Sequence, residues 1–136
     1  MKYTTYLSIL FIACTLFTSC EKDDETETDP LIGTWQIHEV FVAEIKVPFD
    51  DCFAQTTFEF TQDFKFIGKT YEIDDDDVCF LDTGVGVWER VNNNAVKIII
   101  DNDAETIMFS FVEGNLKISL EIDDVSNALI FKKINK

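Results

Sequence analysis

The sequence predicts an all-β domain, an eight-stranded antiparallel up-and-down β-barrel, on three observations. From Leu31 onward apolar residues recur with a period of two, and no segment carries convincing helical spacing. Clusters of Asn, Asp and Gly punctuate the chain at short intervals, as tight connections between antiparallel neighbours require. Eight strands in an open sheet would leave two unpaired edges, whereas closure removes both.

Strands are expected at 34–43, 55–60, 64–73, 84–91, 95–101, 104–112, 115–122 and 127–134. Thr61-Gln62-Asp63, Asn92-Asn93-Asn94, Asp101-Asn102-Asp103 and Glu113-Gly114-Asn115 separate them, residue types that tolerate positive φ or bond their own backbone. Alternation assigns Trp35, Ile37 and Phe41 to the inner face, followed by Phe58, Phe60, Phe64 and Phe66, then Val85 and Val87, and Val96, Ile98 and Ile100. Ile107, Phe109 and Phe111 continue it, with Leu116, Ile118, Leu120 and Ile122, and Leu129 and Phe131 at the end. An eight-stranded interior is filled by side chains or holds one small ligand, and thirteen Phe residues lean toward a largely filled one.

Length and charge narrow the function. The 136 residues suit one domain, and 26 acidic against 11 basic side chains give a formal net charge of −15. Phosphate backbones and anionic lipid surfaces need Lys and Arg, so nucleic acid is excluded as a partner, and partners should be neutral, cationic or metallic. A monomer is expected.

Ahead of the domain, Met1-Lys2 forms a short positive region, Leu7 to Phe17 an apolar one, and Thr18-Ser19 precedes Cys20, the arrangement of a cleaved targeting signal over residues 1–19. The apolar run is shorter than the roughly 20 residues that span a bilayer. Residues 21–30 carry six acids, one Lys and no large apolar side chain, the composition of a solvated linker, and the domain occupies residues 31–136.

Phe17-Thr18-Ser19-Cys20 resembles the lipobox of bacterial lipoproteins, with Phe17 in place of the usual Leu. Phe11-Ile12-Ala13-Cys14 is a competing match with a shorter apolar region, and Cys20 is the expected lipidation site. Glu21-Lys22-Asp23-Asp24-Glu25 resembles the export signal that places Bacteroidetes lipoproteins on the cell surface; the alternative is a charged spacer without an address. The resemblance implies a protein anchored to the outer membrane through lipid and exposed at the surface.

Gly33-Thr34-Trp35 opens the first strand and Gly86-Val87-Trp88 precedes an Asn-rich turn, and with these motifs the domain resembles the lipocalin-like domains of small Bacteroidetes surface lipoproteins. Gly33-Thr34-Trp35 matches the Gly-x-Trp signature in which the Trp closes the barrel base, and Gly86-Val87-Trp88 followed by Asn-rich residues resembles a mid-domain motif of these relatives. In lipocalins an arginine on the last strand packs over the base Trp; Arg90, the sole arginine, does not lie on the last strand, so that role is not carried to it.

With the leader removed and Cys20 acylated, Cys52 and Cys79 remain, an even pair in an exported chain and therefore a disulfide. Both fall in loops at the end opposite Trp35. The alternative is a redox or metal-binding thiol pair, for which no further Cys is present. The four loops at that end, after strands 1, 3, 5 and 7, collect twelve acids against Lys46. Either Asp50 and Asp51 combine with Asp74, Asp75, Asp76 and Asp77 to offer oxygen ligands to Ca²⁺, or the acids form a solvated fringe that steers cationic or polar ligands. Four consecutive aspartates lack the spacing and Gly of an EF-hand loop, so the fringe is the default and no other cofactor is expected.

No nucleophile motif, phosphate-binding Gly loop or His-rich set appears, and His38 lies in the register opposite Trp35 and Ile37. Glu39 falls on the inward register, where a bulge or a partner must relieve it. The chain is read as non-catalytic, a lipid-anchored barrel that binds or transports a small, partly apolar ligand at the cell envelope. Phe41, Phe49, Phe53, Tyr71 and Phe80 are the expected contacts near the mouth and Phe109 a deeper one. The alternative is an accessory or inhibitory surface lipoprotein with a packed interior and an exposed apolar patch around Phe49, Phe53 and Phe80.

Overall fold

The computed structural model describes residues 28–134; the leader, both lipobox cysteines and most of the acidic linker lie outside the described residues. The chain runs β1 (Gly33–Val42), β2 (Ile45–Val47), a 3-10 turn (Phe53–Gln55), β3 (Thr57–Phe60), β4 (Lys65–Ile73), β5 (Cys79–Asn92), β6 (Ala95–Ile100), β7 (Asp103–Val112), β8 (Asn115–Ile122) and β9 (Val125–Ile134). From β3 to β9 each strand pairs antiparallel with the next, β1 pairs with β3, and β9 returns to β1 from Thr34–Ile134 to Val42–Asn127. The ring of β1 and β3 to β9 is therefore a closed eight-stranded barrel without free edges at its base.

β2 is the one strand not expected. β1 pairs with β3 only over Gly33–Gln36, and its upper part, Val40–Val42, takes Ile45–Val47 instead. Three residues are too few for a period of two to register. Four of the connections hold two consecutive residues at positive φ: Ala43-Glu44, Asp101-Asn102, Glu113-Gly114 and Asp123-Asp124. That twist matches the right-handed twist of the flanking strands, which fixes each hairpin's register.

The base of the barrel is packed solid. Trp35, Phe60, Phe131, Leu31, Leu116 and Val96 are fully buried, and Trp88 and Phe109 are buried beside them. Both indoles satisfy their polar atom: Trp35 Nε1–H donates to Leu31 O at 2.8 Å and Trp88 Nε1–H to Thr61 O at 3.1 Å. The turn entering β1 closes the base from outside. Asp29 Oδ1 accepts the Leu31 N–H at 2.9 Å, and Arg90 Nε donates to Asp29 Oδ2 at 3.0 Å while its guanidinium lies 4.6 Å from the Phe109 ring centroid. The cation over Trp35 is Lys133, on the last strand, with Nζ 5.2 Å from the ring centroid. Gly33 makes this possible: its φ is +139°, and a Cβ there would stand 2.4 Å from Lys133 Cε.

Inner-face assignments are corrected at three places, Phe41 on β1, Val85 and Val87 on β5, and Phe64. Between Ile37 and Glu39 the β1–β9 register shifts, a bulge that places His38 outside the alternation. Beyond it Val40, paired with Leu129, packs against the core, and Glu39 and Phe41 turn to the outer surface. One extra residue thus relieves Glu39 and removes Phe41 from the interior. Glu39 accepts a 2.7 Å hydrogen bond from Lys46 Nζ, and that bond holds its carboxyl below the ordinary value despite some desolvation. On β5, Val85 and Val87 are 58% and 49% exposed, and the buried residue is Trp88. A large indole with a bonded N–H outweighs two valines in setting the strand's parity, so Gly84 and Gly86 face inward. Phe64 is also outside, 57% exposed in a turn at φ +63°, with its ring 5.4 Å from that of Trp88.

Candidate ligand-binding cavity

The inner face changes character along each central strand. On β4 it reads Phe66, Gly68, Thr70 from base to mouth, and on β5 Trp88, Gly86, Gly84, Asp82. β7 reads Phe109, Ile107, Glu105, Asp103, the last two fixed inward by their pairing with Ile98 and Ile100. Bulky apolar groups give way to residues with no side chain and then to short polar ones, and a cavity of about 560 Å³ opens in the upper half of the barrel. That volume lies within the roughly 300–1,000 Å³ of ordinary small-molecule sites.

Phe58, Phe66, Ile98, Ile100 and Ile107 supply the apolar lining. Phe58 stacks on Phe131 at 4.9 Å, so the floor of the cavity is the roof of the packed base. Gly68 and Gly84 leave the wall thin, since a Cβ at Gly84 would already come within 3.0 Å of Ile100 Cδ1. Thr70, Asp82, Asp103 and Glu105 complete the lining toward the mouth. β5 pairs with β6 only from Val87 downward, so its segment Cys79–Gly86 stands above the β6–β7 hairpin without a ladder on that side. Gly86 marks the crossing, where a Cβ would meet Ile99 O at 2.0 Å and prevent the strands from closing.

On the other side the projecting β4–β5 hairpin is tied down. Cys52 and Cys79 are disulfide-bonded with Cα atoms 5.7 Å apart, as the sequence predicts, although Cys79 begins β5 rather than lying in a loop. Thr56, buried at the end of the 3-10 turn, accepts the Tyr71 N–H through Oγ1 at 3.2 Å.

None of the six expected contact residues lines this cavity. Phe41 is on the outer face. Phe49 and Phe53 pack edge to face at 5.5 Å and lean on the core from the loop. Tyr71 is half-buried on the outward register of β4, Phe80 is 42% exposed at the tip of β5, and Phe109 lies in the base under Arg90. The lining was visible in part, because Phe58, Phe66, Ile98, Ile100 and Ile107 fall on the expected inner face. Glu105 and the inner glycines were missed; the signal for them is the spacing Gly84-x-Gly86-x-Trp88 once Trp88 is taken as the inward residue.

The aspartates at the mouth serve their own loops. Asp50 Oδ1 accepts the Phe53 N–H at 2.7 Å and so starts the 3-10 turn. Asp74 Oδ1 accepts the N–H groups of Asp76 at 3.0 Å and Val78 at 2.8 Å, and Asp77 sits at φ +59°. Asp51, Asp75 and Asp76 are exposed. The disulfide joins the two loops, but among the described residues no three His, Cys, Asp or Glu side chains form a group that could hold a metal ion. The six aspartates are not gathered into a calcium cradle.

The lipocalin-like domain family matches residues 31–118, from the turn that closes the base through all five strands that line the cavity. No curated protein matches the chain.

Proposed function

The chain belongs to the lipocalin-like domain family, and on that premise we propose that it is a non-catalytic binding protein that holds a small, partly apolar molecule in the upper half of its barrel. The observation that carries this reading is the cavity of about 560 Å³ with its apolar floor of Phe58, Phe66 and Ile98. Burial of an apolar group there removes it from water on most sides, at about 25 cal/mol per Å² of apolar surface.

Cys20 is the proposed attachment point to lipid, and the acidic residues after it are the tether. Support comes from the lipobox resemblance and from the position of Asp29 at the base: a chain arriving there leaves the mouth pointing away from its anchor. We place the protein at the outer membrane facing outward. Growth with a labelled fatty acid should label the full chain and not Cys20→Ala.

The ligand reading is tested by native mass spectrometry of the domain from residue 28 onward, purified from a periplasmic preparation. A co-purifying or loadable small molecule is expected, and Gly84→Leu, which projects a side chain into the cavity, should abolish it with the melting temperature within a few degrees of the parent. Retention of the same molecule by Gly84→Leu would place its site elsewhere. The contrasting reading, a loop-mediated interaction module, requires a packed interior and exposed Phe49, Phe53 and Phe80; of these three only Phe80 is exposed.

A further inference from the structure

We infer that the cavity selects an amphiphilic cation, a molecule with an apolar body and a protonated amine, quaternary ammonium or guanidinium at one end, and rejects anionic amphiphiles of the same size. The inference rests on the ligand-binding reading above and adds the chemical class. Its basis is the polarity of the cavity along its axis. The deep end is Phe58, Phe66, Ile98 and Ile107, which offer no polar group to a ligand. Toward the mouth the lining carries Asp82 from β5 and Asp103 and Glu105 from β7, and no Lys, Arg or His.

Cations elsewhere do not neutralise this wall. Lys46 bonds Glu39, Lys65 bonds Asp63, Lys97 bonds Glu89 and Arg90 bonds Asp29, and among the described residues no ion pair engages Asp82, Asp103 or Glu105. Three carboxylates without an ion-pair partner at the exposed rim of an apolar cavity set up a negative potential at its opening. A bound carboxylate or sulfate would meet that potential with no cationic side chain in the lining to offset it, whereas an ammonium at the same depth is drawn by it. The apolar floor holds the chain; the acids decide which head group is tolerated.

The test uses three probes of one chain length, decyltrimethylammonium, decanol and decanoate, each below its aggregation concentration, titrated into the domain by calorimetry. The cation should bind roughly tenfold tighter than the alcohol, since several exposed charge pairs each contribute modestly, and decanoate weaker than either. The preference should shrink between about 0.02 and 0.3 M salt. Asp82→Asn with Asp103→Asn and Glu105→Gln should erase it, with decanol still bound, and an unchanged circular-dichroism spectrum and melting temperature check that the variant folds. Equal binding of all three probes, or an undiminished cation preference in the triple variant, overturns the inference and leaves the ligand-binding reading standing. Failure of all three probes to bind overturns both.

Discussion

The base and the mouth of this barrel are built from the same strands with the same alternation, yet one is packed and the other hollow. Trp35, Phe60, Trp88, Phe109 and Phe131 fill the base, with both indole N–H groups bonded. A few residues higher on the same inner rows stand Gly68, Gly84, Asp82, Asp103 and Glu105, whose side chains leave a cavity of about 560 Å³. A period of two decides only which side chains point inward; their volume decides whether the interior is core or binding site. The closed base supplies the rigidity that an unfilled mouth lacks, and the disulfide replaces packing where packing stops.

The largest test of this division is a pair of truncations. Trp35→Ala removes a buried ring and an indole hydrogen bond and should cost about 3–5 kcal/mol in urea unfolding. Ile100→Ala faces the cavity, where the site is already open, and should cost about 1–2 kcal/mol. Equal losses would mean that the upper interior is packed like the base.

Loss of the disulfide comes next. Cys52→Ser with Cys79→Ser releases a bridge spanning 27 residues, for which the chain-entropy model gives about 3.5 kcal/mol. The loss should be local as well as global: amide exchange should accelerate in 49–56 and 74–83 while the amides around Trp35 and Phe131 keep their ranking. Uniform acceleration through the base would show that the mouth and base are one cooperative unit.

The legibility of the sequence follows the same boundary. Runs such as Leu116–Ile122 and Val96–Ile100 have one sensible inner set each, and their strands, turns and facing were readable directly. The closed barrel, the base role of Trp35 and the Cys52–Cys79 pairing follow from alternation, a motif and the loop order. Parity on β5 was not readable, because Val85 with Val87 and Gly86 with Trp88 both satisfy a period of two, and the choice depends on what lies opposite. The bulge at His38 is signalled only by Glu39 on the inward register, which a partner could equally relieve, so Phe41 could not be separated from Val40. The cavity was least legible of all. It is made by absent side chains, and an inward glycine carries meaning only after the strand's parity is known.

A smaller effect should come from the turn that seals the base. Asp29→Ala removes the acceptor of the Leu31 N–H and the partner of Arg90, whose Nη1 is already buried without a hydrogen-bond partner. A cost of about 1–3 kcal/mol is expected in thermal unfolding. Adding Arg90→Met should recover part of it, because the loss is dominated by a stranded guanidinium and not by the missing pair. No recovery would assign the cost to the backbone cap on Leu31 alone.

The smallest expected effect lies at the mouth, on the β2 arm. Lys46 holds the Glu39 carboxyl below its ordinary value of 4.5, chiefly through their hydrogen bond. A carboxyl whose native pKa is depressed adds stability that is present above its unfolded value and lost as pH falls through the native one. Chemical-shift titration should therefore find Glu39 below 4.5 in the parent and close to it in Lys46→Met. The stability curves of the two proteins should differ slightly near neutral pH and converge under acid. Both groups are solvent-exposed, so the separation should be far smaller than for any substitution in the base. A constant offset at all pH values would attribute the effect of Lys46 to the packing of its stem against β1 instead of its charge.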